Sequence, residues 1–170
     1  MREHFLPVVV LAIIVLCLGF LAYVYLEPRA EPYLENQVPG VTVRDVAVDA
    51  MIADEEKERV RGLSGVPSMA PREGLLMVFD TADHHAIWMK DMNFPIDIIW
   101  VGDDLTVVDV TEAVRPDTYP AIFEPSVPAR MALEVNARFV ATHRIKIGDP
   151  VLLNEAYIPR DLRKDLKKEI

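Results

Sequence analysis

Residues 88–100, WMKDMNFPIDIIW, bring two tryptophans, two methionines, a lysine, two aspartates and a proline into thirteen positions. Trp88, Lys90, Asp91, Asn93 and Asp97 could together line a ligand site, with an aromatic face, a cation and several hydrogen-bonding groups. The same residues have a structural reading. Asp97 can accept backbone or arginine hydrogen bonds that fix a turn, and Trp88 can fill a gap in the packing. The sequence leaves both readings open.

Other chemistry is poorly supplied. His84 and His85 are adjacent, so on a strand they point to opposite faces, and His143 is far away in sequence. No metal is expected. Ser64, Ser68 and Ser126 are the serines, and Gly62-Leu63-Ser64-Gly65 has Val66 where a nucleophile elbow needs glycine. Cys17 is the only cysteine and lies in an apolar run, which removes thiol catalysis from the rest of the chain. The seven glycines form no phosphate-cradling loop, and no cofactor is expected.

These residues must be carried by particular elements. From residue 96 to 101, Ile96, Ile98 and Trp100 fall on one face of a strand, and Asp97, Ile99 and Val101 on the other. Both faces are apolar, which predicts a strand covered on both sides with Asp97 buried in it. A buried carboxylate must be paired or hydrogen-bonded. Ile87 and Met89 share one face of the preceding stretch, while Trp88 beside Lys90 marks a partly exposed one. Asp91, Asn93 and Pro95 then turn the chain.

Further strands are expected over residues 41–52, 75–79, 105–111, 131–135, 139–147 and 151–153. Asp54 is placed to cap a short helix over 55–61. Glu55 and Glu56 stand at its positive end, Arg59 and Arg61 at its negative end, and Gly62 at its C-terminal turn. Residues 80–84 read as a polar turn and 102–104 as a hairpin loop. Four prolines make 114–130 a long irregular loop, a length that is usually functional or mobile. About eight short strands with one short helix predict an all-β sandwich or barrel-like fold.

An appendage comes first. Residues 5–26 carry no charge over 22 positions, which as a helix spans roughly 33 Å and is enough to cross a bilayer core. The run is longer, and its end a poorer cleavage site, than a removed signal peptide usually has, which makes cleavage the less favoured alternative. A single-pass signal anchor over residues 1–26 is expected, followed by a proline-bearing linker over 27–40. Arg2, His4 and the terminal amine before the span, against Glu27, Arg29, Glu31 and Glu35 after it, give a slight positive-inside bias, from which the domain at 41–153 is expected outside the cytoplasm. Residues 154–170 form a charged helical tail. The formal net charge is −9, which argues against nucleic-acid binding.

Several pieces, in order, resemble a bacterial and archaeal family known as domain of unknown function 192. They are Arg61-Gly62-Leu63, Glu73-Gly74-Leu75-Leu76-Met77-Val78-Phe79, Trp88-Met89-Lys90-Asp91-Met92-Asn93-Phe94-Pro95-Ile96-Asp97-Ile98, Pro128-Ala129-Arg130-Met131-Ala132-Leu133-Glu134 and Ile147-Gly148-Asp149. The resemblance implies a compact β-rich domain and no assigned activity. It departs near Arg138, where the family usually has a glycine. It also singles out Arg61, Asp97 and Glu134 as recurrent charged positions. Arg61 is therefore expected to pair with Asp97 or Glu134.

Two functions remain in view. One is a non-enzymatic module that meets an envelope protein or glycan through the 88–93 turn and the 114–130 loop. The other is an enzyme acting on an envelope polymer or small molecule, with Asp97 and Glu134 as acid and base in one cleft.

Overall fold

The computed structural model describes residues 40–154 and 157–159. The expected membrane helix, all but the last residue of the linker and nearly all of the charged tail lie outside these residues. Among the described residues, no helix is long and apolar enough to cross a membrane.

The elements run β1 (Val41–Val43), β2 (Val46–Ala53), α1 (Glu56–Arg61), β3 (Glu73–Asp83), β4 (Ile87–Trp88), β5 (Ile96–Val101), β6 (Val107–Val114), β7 (Ile122–Phe123), β8 (Ala129–Asn136), α2 (Phe139–His143) and β9 (Val151–Leu153). A 3₁₀ turn at Pro116–Thr118 lies between β6 and β7. Seven strands form one sheet in the order β6-β5-β8-β3-β2-β1-β9, and β4 and β7 form a separate ribbon. The β2–β3 pair is parallel, with α1 in the connection. The large sheet curls into a half-barrel. Its two edges meet where Val107 N–H donates to Asp149 O (2.9 Å) and Val151 N–H to Leu105 O (2.8 Å). The fold is therefore mostly β, as expected, and its curl is the barrel-like form of that expectation.

The pleat sorts the side chains into two sets. Val48, Leu76, Ile99, Leu133 and Val135 belong to the core inside the curl, which Phe139 and Val140 of α2 help to fill. Leu75, Ile98 and Glu134 are cross-strand neighbours on the opposite face, and that face too is covered. All six residues of β5 are buried, so the two-sided alternation is confirmed. Trp100 is fully buried, and its indole N–H donates to Thr111 Oγ1 at 3.1 Å, which satisfies the one polar atom it brings inside.

Asp97 is on the inner face and is 0% exposed. One of its oxygens accepts the N–H of Ala113 (2.8 Å) and the other the N–H of Val140 (3.0 Å). Ala113 lies where the β5–β6 register shifts, between the pairs Ile96↔Val114 and Ile98↔Thr111, and it has φ 54°. A bulge leaves an N–H without a ladder partner, and the first turn of a helix does the same. Asp97 satisfies one of each. It joins β5, β6 and α2 through backbone amides, which is the structural role read for it.

Several elements differ from expectation. The strand expected over 139–147 is a single helical turn, α2. Its ends are left-handed at Arg138 (φ 74°) and Arg144 (φ 55°), and its first turn is held by Asp97. Arg138 thus adopts the conformation that glycine favours at the family's usual position. The strand expected over 41–52 is a hairpin, because Arg44 takes φ 60° and folds β1 onto β2. The expected turn at 80–84 is the end of β3, which pairs Asp83 with Ala129 after an irregularity. The cap of α1 is Glu55 rather than Asp54; Glu58 accepts the Glu55 N–H at 3.2 Å. Gly62 ends that helix at φ 50°, as its position implied. The loop expected over 114–130 holds the 3₁₀ turn and β7.

Asp97→Asn keeps the shape of the side chain but turns an NH₂ donor towards one of the two amide donors. Hydrogen bonds to a charged acceptor contribute about 1.5–3 kcal/mol. A thermal melt of residues 38–170 is expected to fall by several degrees in the variant. An unchanged melting temperature would show that neither amide depends on this carboxylate.

Candidate functional site

A cavity of about 180 Å³ opens on the outer face of the sheet, between α1 and the segment around β4. Its walls are mainly Leu63, Met77, Phe79, Ile87, Trp88 and Met92. Glu56, Arg59, Arg61 and Ser64 add polar groups, and Glu134 reaches it from the sheet.

Each wall is positioned by a local feature. Arg59 holds α1 on the sheet: its guanidinium donates to Val78 O (2.9 Å) and to Asp54 O, and lies over the Phe79 ring, 5.7 Å from its centre. Phe79 stacks on His85 at 3.6 Å between ring centres. Trp88 is presented by the β4–β7 ribbon, opposite Ile122, and is 42% exposed. The turn after it is tied down by three bonds to the segment after α1. Ser64 Oγ donates to Lys90 O (2.7 Å), Gly65 N–H to Asp91 O (2.9 Å) and Asn93 Nδ2 to Val66 O (2.9 Å).

Glu134 has a different environment from Asp97. It lies in mid-strand on β8, opposite Leu75 of β3 and Ile98 of β5. It is 3% exposed. Its Oε2 is buried with no hydrogen-bond partner among the described residues. Burial alone pushes its pKa up from 4.5 to about 8, because an apolar setting penalises the ionised form. The carboxyl is therefore largely protonated at neutral pH and can donate a hydrogen bond as well as accept one.

The candidate residues are thus divided. Arg61, Trp88 and Glu134 come together on the cavity. Lys90, Asp91 and Asn93 are exposed on the turn behind it, away from the lining, and two of them are held through their backbone carbonyls. Asp97 is elsewhere. Ile98 opposes Glu134 and Asp97 opposes Val135, so the two carboxylates point to opposite faces of the sheet. They do not form an acid–base pair in one cleft, contrary to the catalytic expectation. The expected arginine pairing also differs. Asp97 is held by two backbone amides, and among the described residues no cation offsets the burial of Glu134. Arg61 is exposed on α1 beside the cavity. The sequence reading missed Arg59, Phe79, Met77 and Met92, because they are separated in sequence and resemble ordinary core or helix-surface residues. Among the described residues, no group of three or more His, Cys, Asp or Glu could hold a metal ion.

The raised pKa has a consequence for stability. The folded chain binds the Glu134 proton more tightly than the unfolded chain does. Stability from this group is therefore full below pH 4.5 and is lost as pH rises to about 8. Glu134→Gln removes the titration. Across that window the variant is expected to gain on the natural chain by up to about 1.4 kcal/mol per pH unit. Denaturant unfolding of both at a series of pH values measures the gap, and a constant gap would mean that Glu134 titrates normally.

Among curated proteins, none matches this chain. Several solved structures share its fold, two of them as follows. One is a protein of unknown function from Novosphingobium aromaticivorans DSM 12444, 27% identical, with a TM-score of 0.63 over 66% of this chain and 82% of that one. The other is a Sinorhizobium meliloti 1021 protein named only provisionally as a transcription regulator, 26% identical, with a TM-score of 0.61 over 66% of this chain and 91% of that one. The family model for domain of unknown function 192, described as an uncharacterized ACR, matches residues 40–153. That match spans most of the chain and all of the half-barrel, and the chain belongs to the domain of unknown function 192 family.

Proposed function

We propose that the chain is a membrane-anchored domain displayed outside the cytoplasm, and that it serves as a non-enzymatic binding module for an envelope protein or glycan. Residues 5–26 hold it in the membrane and 27–40 set it off the surface. The observation that carries the binding reading is the cavity itself. A 42%-exposed tryptophan stands at a recess of about 180 Å³ that has a buried, unsatisfied carboxyl oxygen. An exposed aromatic beside an apolar recess with few polar groups is a common form of recognition site. The enzymatic alternative needs Asp97 and Glu134 in one cleft, and they lie on opposite faces of the sheet. The regulator name of the Sinorhizobium protein is not extended to this chain, because a net charge of −9 disfavours contact with a phosphate backbone.

The placement is tested by adding protease to intact spheroplasts. The domain of the full chain is expected to be digested, and that of a chain lacking residues 5–26 to be protected. Protection of the full chain would overturn the placement. The surface is tested with a photoreactive residue at position 88 and another at exposed Ile147, which does not line the cavity. Labelling of envelope protein or glycan is expected from position 88 alone. Equal labelling from both positions would remove the cavity from the reading.

A further inference from the structure

We propose that the group received by this cavity is an uncharged, ring-sized moiety bearing a carbonyl oxygen, and that this oxygen accepts a hydrogen bond from the carboxyl of Glu134. The inference rests on the binding reading above and specifies the chemistry of what enters.

The size of the recess limits the occupant. A void of about 150 Å³ lined by apolar side chains holds a benzene ring, and this one is about 180 Å³. Its walls suit a flat, apolar body. Trp88 offers exposed aromatic surface, Phe79, held between His85 and Arg59, offers its edge, and Met77 and Met92 offer thioethers that pack well against aromatic edges.

Glu134 supplies the polar requirement. Glu134 lines the cavity, and its carboxyl has unmet hydrogen-bonding capacity, since Oε2 is shielded from water without a partner among the described residues; a buried polar group left so costs about 1–3 kcal/mol. The carboxyl titrates at about 8, so at neutral pH it carries a proton to donate, and a carbonyl oxygen is the simplest acceptor. The charges near the cavity disfavour the other ligand classes. Glu56, Arg59 and Arg61 of α1 are the charged groups on it besides Glu134. On the flanking strands the neighbours of Glu134 are Leu75 and Ile98, and the segment around β4 contributes Trp88 and Met92. A cation would have to ionise a buried carboxyl in the company of two arginines. An anion would have to leave water for the apolar walls, which costs more than one hydrogen bond from a neutral carboxyl returns.

The test uses the full chain in lipid nanodiscs with ¹³C-labelled methionine methyls. The Met77 and Met92 signals are followed by NMR during titration with benzamide, benzylammonium and toluene. Benzamide is expected to shift both signals saturably and to bind about tenfold more tightly than either of the others at neutral pH. Above pH 8 its affinity is expected to fall by about tenfold per pH unit. Glu134→Gln keeps a neutral donor, so it is expected to bind benzamide with little change and without the fall at high pH. Glu134→Leu is expected to lose about tenfold in affinity. Tighter binding of benzylammonium, or equal binding of toluene, would overturn the inference and leave the cavity as a binding site. If no probe shifts either methyl, both the inference and the cavity as a binding site fail.

Discussion

Strands β5 and β8 lie next to each other near the middle of the order β6-β5-β8-β3-β2-β1-β9, and both are buried on both faces. A residue there has water on neither side, so a polar group must find a partner within the protein or lose its charge. Asp97 and Glu134 meet this constraint in opposite ways. Asp97 receives two backbone amides that the fold would otherwise leave unpaired, one from a bulge and one from the first turn of α2. Among the described residues Glu134 receives no offsetting cation, and its carboxyl is pushed up to about 8 by burial. One carboxylate ties three elements together; the other is kept neutral beside a cavity.

A one-residue offset separates these two roles. Because Ile98 opposes Glu134, its neighbour Asp97 must face the other way. A one-residue slip of β5 against β8 would turn Asp97 to the face that carries Glu134 and leave the bulge and the first turn of α2 without their acceptor. Gly74 helps to fix that register from the other side of β8. A Cβ at this position would come within 2.8 Å of the Glu134 carbonyl oxygen, far closer than ordinary contact. The backbone that carries Glu134 can therefore approach β3 only because residue 74 has no side chain.

Much of the fold was legible in the sequence because its cause was local. Apolar residues on both faces marked 96–101 as a buried strand, and opposed charges with Gly62 marked α1. The buried Asp97 was foreseeable from its neighbours, since a carboxylate in apolar company implies donors nearby. Long-range causes were not legible. Phe139, Ala141, Ile145 and Ile147 fall at alternate positions well enough to suggest a strand. What makes the segment helical is Asp97, more than forty positions away, together with left-handed Arg138 and Arg144. The hairpin at Arg44 lacked the glycine or asparagine that usually announces a positive φ. In the site, Trp88 stood out by its type and Glu134 through the family resemblance. Met77, Phe79 and Met92 gave no signal, because a methionine or phenylalanine lining a cavity looks in sequence like one filling a core. Lys90, Asp91 and Asn93 were legible as the polar residues of an exposed turn, but not that this turn lies away from the cavity lining.

The site also divides into a fixed side and a lightly held one. Glu134 and Met77 belong to β8 and β3, neighbouring strands in the interior of the sheet. Across from them, α1 has six residues, none of them buried, so it cannot owe its position to an apolar stripe in the usual way. It depends on a few contacts instead, chief among them Arg59 reaching the Val78 carbonyl and covering Phe79. The β4–β7 ribbon that presents Trp88 has two residues in each strand. Exposed elements this short open at a lower free-energy cost than central strands do, even with the turn after β4 tied to the segment after α1 by three hydrogen bonds. If the cavity binds as proposed, discrimination would therefore rest with the strands that hold the carboxyl in place, and adjustment with α1 and the ribbon.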